Sequence, residues 1–169
     1  YQIEVLKIPL DGYLRMLAVM QTIQIILSPA AGFLSDRIGD RNLLFGSHLL
    51  LSGAMVFPFL ATAEHPQWQL GAYVVWGMFG IVNVVMYTLA WRLAPRSDNT
   101  SYLGLFRPFS GLTAALAGIA GGNLLDRLLA ANWTMDAAGR SWSGFHLLFL
   151  VSLVGRFTAP FWLLGIRST

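Results

Sequence analysis

Gly32-Phe33-Leu34-Ser35-Asp36-Arg37-Ile38-Gly39-Asp40-Arg41 is the dense charge cluster of this chain, and it stands between two long apolar stretches. No charge follows Arg15 until Asp36, and none occurs from Asn42 to Ala63. A run of about 20 apolar residues crosses a hydrocarbon core of ~30 Å as a helix. The cluster is therefore a short reversal at a membrane surface, joining two spanning helices. Gly32 removes a side chain one turn before the first helix ends, which lets a neighbouring helix approach. Gly39 permits the positive φ that a tight reversal needs. Asp36 falls near a helix C-terminus, where a negative charge is disfavoured, so it needs an arginine or the N-terminal end of another helix to offset it. Arg37 and Arg41 mark the face as cytoplasmic under the positive-inside bias.

The spacing Gly32-x-Leu34-Ser35-Asp36-Arg37-x-Gly39-x-Arg41 resembles the signature loop of the major facilitator superfamily, G-x-L-[A/S]-D-[R/K]-x-G-[R/K]-[R/K]. Asp40 departs from it, standing where the pattern has a basic residue. In that family the loop joins the second and third helices of a six-helix half. The resemblance implies an all-α, polytopic transmembrane bundle in which this chain supplies five spans of one half. The signature turn follows the first span here, so the half lacks its first helix. The short tail behind the last span favours the C-terminal half, and Tyr1 in place of Met marks the chain as a piece of a longer protein.

Composition agrees with a membrane protein. The 169 residues are 56% hydrophobic and 11% charged, against roughly 25% charged in soluble domains. Seventeen glycines and six tryptophans suit helix packing and membrane interfaces. A net charge of +3, scattered along the chain, excludes a nucleic-acid partner. The absence of cysteine excludes disulfides, thiolate catalysis and cysteine-ligated metals. No cofactor and no metal site is expected.

The expected spans are about 13–35, 42–62, 70–91, 102–125 and 144–166. Residues 1–12 form an external segment. In the first span Gln21, Gln24, Ser28, Gly32 and Ser35 recur on one side, facing either a wet cavity or a partner helix. In the second, His48 can titrate or simply hold one hydrogen bond within the bundle. In the third, Trp76, Gly80, Asn83 and Tyr87 recur at helical spacing. Burying their polar groups in hydrocarbon is costly without partners, so that side faces protein or a wet cavity. Gln21, Gln24, Trp76, Asn83 and Tyr87 are the candidate substrate-facing residues. Asn99, Thr100 or Ser101 caps the fourth span, where Gly111, Gly118 and Gly122 form a small-residue stripe suited to close packing. Residues 126–143 are external and polar. Arg156, within the inner half of the last span, points into the bundle or snorkels.

Alternation of five spans places the 32–41 turn, the loop at Arg96 and the C-terminus on one side. That side holds Arg37, Arg41, Arg92, Arg96, Arg107, Arg156 and Arg167, against Lys7, Arg15, Arg127 and Arg140 on the other. The turn and C-terminus are then cytoplasmic and the protein is a multi-pass component of the plasma (inner) membrane. The resemblance implies secondary transport of a small solute by alternating access, with Gly32, Leu34, Asp36, Arg37, Gly39, Arg41 and Arg92 in the gate. Asp36 is expected to meet the N-terminal end of the fourth span, together with Arg92. Partners are the lipid bilayer, an unspecified small solute, and the remaining helix and other half of the same protein. No span carries a deep carboxylate, so an Asp/Glu proton relay is absent from this piece. A transporter-like receptor or scaffold is the rival reading. A membrane-embedded enzyme is a weaker one, since no H-E-x-x-H, G-x-S-x-G or phosphate-cradling loop occurs.

Overall fold

The computed structural model describes residues 1–95, 99–137 and 140–165. Five stretches are long and apolar enough to cross a membrane: Leu10–Ile38, Asp40–Leu60, Trp68–Leu93, Asn99–Ala130 and Gly144–Gly165. The chain divides into one unit of residues 1–89 with 152–169 and another of 90–151. Arg96, Asp98, Arg167 and the 166 end of the last expected span lie outside the described residues.

In the first unit, helix α1 runs Leu10–Ile38 and α2 runs Asp40–Gly53. Only Gly39 separates them, with φ 82° and ψ 146°, a combination essentially reserved for glycine. Its N–H donates to the Ser35 carbonyl at 2.9 Å and its carbonyl accepts from Leu43 N–H at 3.1 Å. One residue thus closes the first helix and opens the second.

The second span is not continuous. Helix α2 stops before Ala54–Met55 and a short α3 follows over Val56–Leu60. Pro58 explains the break: it has no N–H for the Ala54 carbonyl, and its ring clashes there. The third span is also divided, into α4 (Trp68–Trp76) and α5 (Phe79–Leu93). Around the junction the bonds shorten to three-residue spacing, Met78 N–H to Val75, Gly80 N–H to Gly77 and Ile81 N–H to Met78.

That tightening accompanies a close crossing with α1. A Cβ on Gly77 would lie 2.4 Å from Ile23 Cγ2, and one on Gly80 2.4 Å from the Gln24 carbonyl oxygen. Such proximity requires glycine at both positions. Around the crossing, Ala31, Leu43, Leu44, Leu51, Ile81, Val82 and Val85 form the core, with Leu27, Leu34 and Trp76 packed against it.

Residues 1–9 are more than a loose external segment. Leu6 and Ile8 are buried against Ala61, with Tyr13 and Met16 alongside. The Tyr1 hydroxyl donates to the Pro58 carbonyl at 3.2 Å, and the Tyr73 hydroxyl donates to Gln2 Oε1 at 2.9 Å. The segment closes over the ends of the second and third spans.

In the second unit, α6 runs Asn99–Ala130, beyond the expected end at 125, and buries none of its residues. It ends in a hydrogen-bonded cap: Trp133 N–H reaches the Leu128 carbonyl at 2.9 Å across Asn132, which has φ 47°. This is the six-to-one closure of a Schellman-type end, with asparagine in the left-handed position. The expected polar loop is in part a hairpin, β1 (Thr134–Ala137) paired antiparallel with β2 (Arg140–Ser143). Helix α7 (Gly144–Thr158) follows directly, and its first turn is braced by His146 Nδ1, which accepts from Ser143 N–H at 3.1 Å. From Ser152 onward the last span belongs to the first unit again, and it changes to a 3-10 helix over Ala159–Gly165, because Pro160 cannot donate to the Arg156 carbonyl.

Candidate functional site

The 32–41 turn supplies the first candidate. Gly32 is exposed and nothing approaches within 4 Å of where its Cβ would be, so it makes no close helix contact among the described residues. Leu34 packs against the core cluster. Asp36 and Arg37 are exposed at the end of α1, and the Arg37 guanidinium carbon lies 4.1 Å from the Phe33 ring centroid. That contact at i, i+4 is a cation–π pair. Arg92 ends α5 and is exposed.

Asp40, the departure from the signature, has a structural role. It is 5% exposed, and its carboxylate accepts a hydrogen bond from the Ser35 hydroxyl. It occupies the first turn of α2, where the macrodipole favours negative charge. Ser35 before the glycine and Asp40 after it therefore clamp the reversal. Arg41 beside it is partly buried, and its Nε is enclosed without a hydrogen-bond partner among the described residues.

The expected solute-facing stripe of the third span does not form one face. Gly80 is buried at the α1 crossing, whereas Asn83 is exposed and Tyr87 is 39% exposed. Trp76 ends α4, before the break at Gly77–Met78, and the other three lie beyond it in α5. Trp76 packs on the core with its Nε1 enclosed and without a hydrogen-bond partner among the described residues. Gln21 is exposed, and Gln24 is partly buried at the crossing, where its carbonyl accepts from Ser28 Oγ at 2.7 Å.

Sequence reading missed two inward members of the same helix, Gln69 and Tyr73. Gln69 is 2% exposed with Oε1 unpartnered among the described residues. Their spacing with Trp76, at i, i+4 and i+7, was the available signal. Among the described residues of its own unit, the glycine stripe on α6 has nothing within 4 Å of a built Cβ at Gly111, Gly118 or Gly122.

A second constellation lies between α2 and the last span. A cavity of about 230 Å³ is lined by His48, Leu51, Ser52, Phe79, Gly155, Arg156 and Ala159. His48 Nδ1 lies 3.0 Å from the Leu44 carbonyl, so Nδ1 carries the proton there and Nε2 is the ring's remaining polar atom. Ser52 Oγ donates to the His48 carbonyl at 2.7 Å. Arg156 Nε donates to Ser152 Oγ at 3.3 Å, one turn back in its own helix. By helical rise, His48 is about 12 Å along α2 and Arg156 about 18 Å along α7. A guanidinium at such depth costs about 2.5–3.5 kcal/mol on insertion scales.

Long apolar helices joined by a one-residue polar reversal, with glycine at the crossing, define a polytopic helical membrane protein. The chain matches the family model of the Major Facilitator Superfamily over residues 8–168, and it belongs to that superfamily. Members of this family are transporters rather than enzymes, and membrane transport is the general function. No curated protein and no solved structure matched the chain.

Proposed function

We propose that this chain takes part in secondary active transport of a small solute by alternating access, with the 32–41 turn as a gating loop on the cytoplasmic side of the plasma membrane. The observation that carries the reading is the one-residue link at Gly39, clamped by Ser35 and Asp40. Two spans joined without slack move as one lever, and whatever holds Asp36 holds both. Asp36 engages the N-terminal end of the fourth span and Arg92 in one state, where the helix dipole and guanidinium stabilise its carboxylate. Releasing that contact opens the inner face, as rocking about a central site requires. Gln21, Asn83 and Tyr87 are the proposed solute-facing groups, with Gln24 and Trp76 behind them at the helix crossing.

The test is uptake by Asp36→Asn in the intact protein, with surface abundance measured in the same cells. The expected outcome is reduced transport at unchanged abundance. Wild-type uptake by a correctly inserted Asp36→Asn protein refutes the latch.

A further inference from the structure

We propose that the cavity between α2 and the last span is a binding site for a phosphate-type oxyanion, held by Arg156 with His48 and Ser52. The argument begins with charge. Among the described residues the cavity wall contains a guanidinium and an imidazole but no carboxylate. Arg156 donates from Nε to the neutral Ser152 hydroxyl, which leaves its terminal nitrogens for a further acceptor. Arg156 is exposed on its helix, but a cation within a membrane-spanning segment is unfavourable without a counter-ion, and the remedy that fits a planar five-donor fork is a carboxylate or phosphate.

The polar groups around it complement such a headgroup. His48 has Nδ1 committed to Leu44, which leaves Nε2 to accept from a hydroxyl on the ligand. Ser52 spends its proton on the His48 carbonyl and so presents lone pairs. A phosphate ester with a neighbouring hydroxyl matches all three, its anionic oxygens on Arg156 and its hydroxyl on His48 or Ser52. Size points the same way. About 230 Å³ is below the roughly 300–1,000 Å³ of sites that enclose whole small molecules, so the cavity takes a charged group, not an entire drug-sized solute. Arginines at this depth also draw phosphate and water inward by local thinning of the bilayer.

The shared chemistry comes from either of two sources, a phospholipid headgroup or a water-soluble phosphate ester. Native mass spectrometry of the intact detergent-solubilised protein, titrated separately with phosphatidylglycerol, glycerol 3-phosphate and phosphate-free diacylglycerol, distinguishes them. At least one phosphate probe should bind, about tenfold more weakly to Arg156→Gln, with Arg156→Lys falling between Arg156→Gln and wild type because it keeps the charge and loses the fork. Preference for phosphatidylglycerol assigns a lipid site, and preference for glycerol 3-phosphate assigns a solute site. Should Arg156→Gln not be recovered folded, His48→Leu should weaken the same probe several-fold. Failure of both phosphate probes to bind overturns the proposal. So does equal binding to wild type and the Arg156 or His48 variant, or binding of diacylglycerol as tightly as phosphatidylglycerol.

Discussion

Gly80→Ala probes the crossing of α1 with α5, and its effect can be worked from the coordinates. The added Cβ would sit 2.4 Å from the Gln24 carbonyl oxygen, 2.9 Å from its Cα and 3.0 Å from its carbonyl carbon. All three are backbone atoms, so no rotamer change relieves the contact. Ordinary contact begins at 3.4 Å, and the helices must therefore part by about 1 Å. Overpacking of that kind costs about 1–3 kcal/mol. Alanine also gains helix stability, about 0.5–1 kcal/mol over glycine, which would blur a single measurement. Gly46→Ala removes that ambiguity, because Gly46 is helical with nothing within 4 Å of its built Cβ. Both variants share the propensity gain, so their difference isolates the packing term. At roughly 2–4 °C per kcal/mol for a chain of this size, Gly80→Ala should melt roughly 2–12 °C below Gly46→Ala. The assay is thermal unfolding of the purified protein in one detergent, followed by monodispersity on size exclusion. Coincident melting of the two variants would refute the close-crossing argument.

Gly39→Val should lose about 1–3 kcal/mol through backbone strain at its glycine-only φ and ψ, read as a lower melting temperature and reduced folded yield. Asp40→Ala should lose about 1–2 kcal/mol with the Ser35 bond. Asp40→Lys, which restores the basic residue of the family pattern, should be no more stable than Asp40→Ala, because it sets a cation at the start of α2; both are checked by the same melting assay. At the end of α6, Asn132→Val should destabilise by about 1–2 kcal/mol and Asn132→Gly should not, since only the former is penalised at positive φ. Hydrogen exchange of the Trp133 amide checks that pair directly.

The reversal at Gly39 was legible because its residue types are dictated locally: charge at an interface, and glycine where φ is positive. The spans were legible for a similar reason, since length and apolar composition decide what can cross a bilayer. Packing was less so. Gly118-x-x-x-Gly122 matches a close-packing pattern, yet among the described residues nothing lies within 4 Å of a built Cβ at either, whereas Gly71, Gly77 and Gly80 each have an atom of another helix at 2.4 Å. A glycine spacing states where a helix is able to approach, and only the partner's path decides where one does. The break at Ala54 follows from Pro58 and was in principle readable. The break at Gly77–Met78 has no proline behind it, and it separated Trp76 from Asn83 and Tyr87. The 134–143 hairpin escaped notice because its strands are four residues each, too short for the alternation in Thr134–Ala137 to stand out from a loop. The cavity at His48 and Arg156 joins residues over a hundred positions apart, a pairing that no local pattern announces.

The one-residue link between α1 and α2 also bears on how the chain acquires its sidedness. With a single peptide unit between them, neither segment can commit to an orientation while the other waits. Biogenesis must deliver the pair as a preformed hairpin, so one decision sets the topology of both. Length changes should accordingly be tolerated far better at 61–67 than at 39, where even a single inserted residue would rotate α2 by about 100° against its partner.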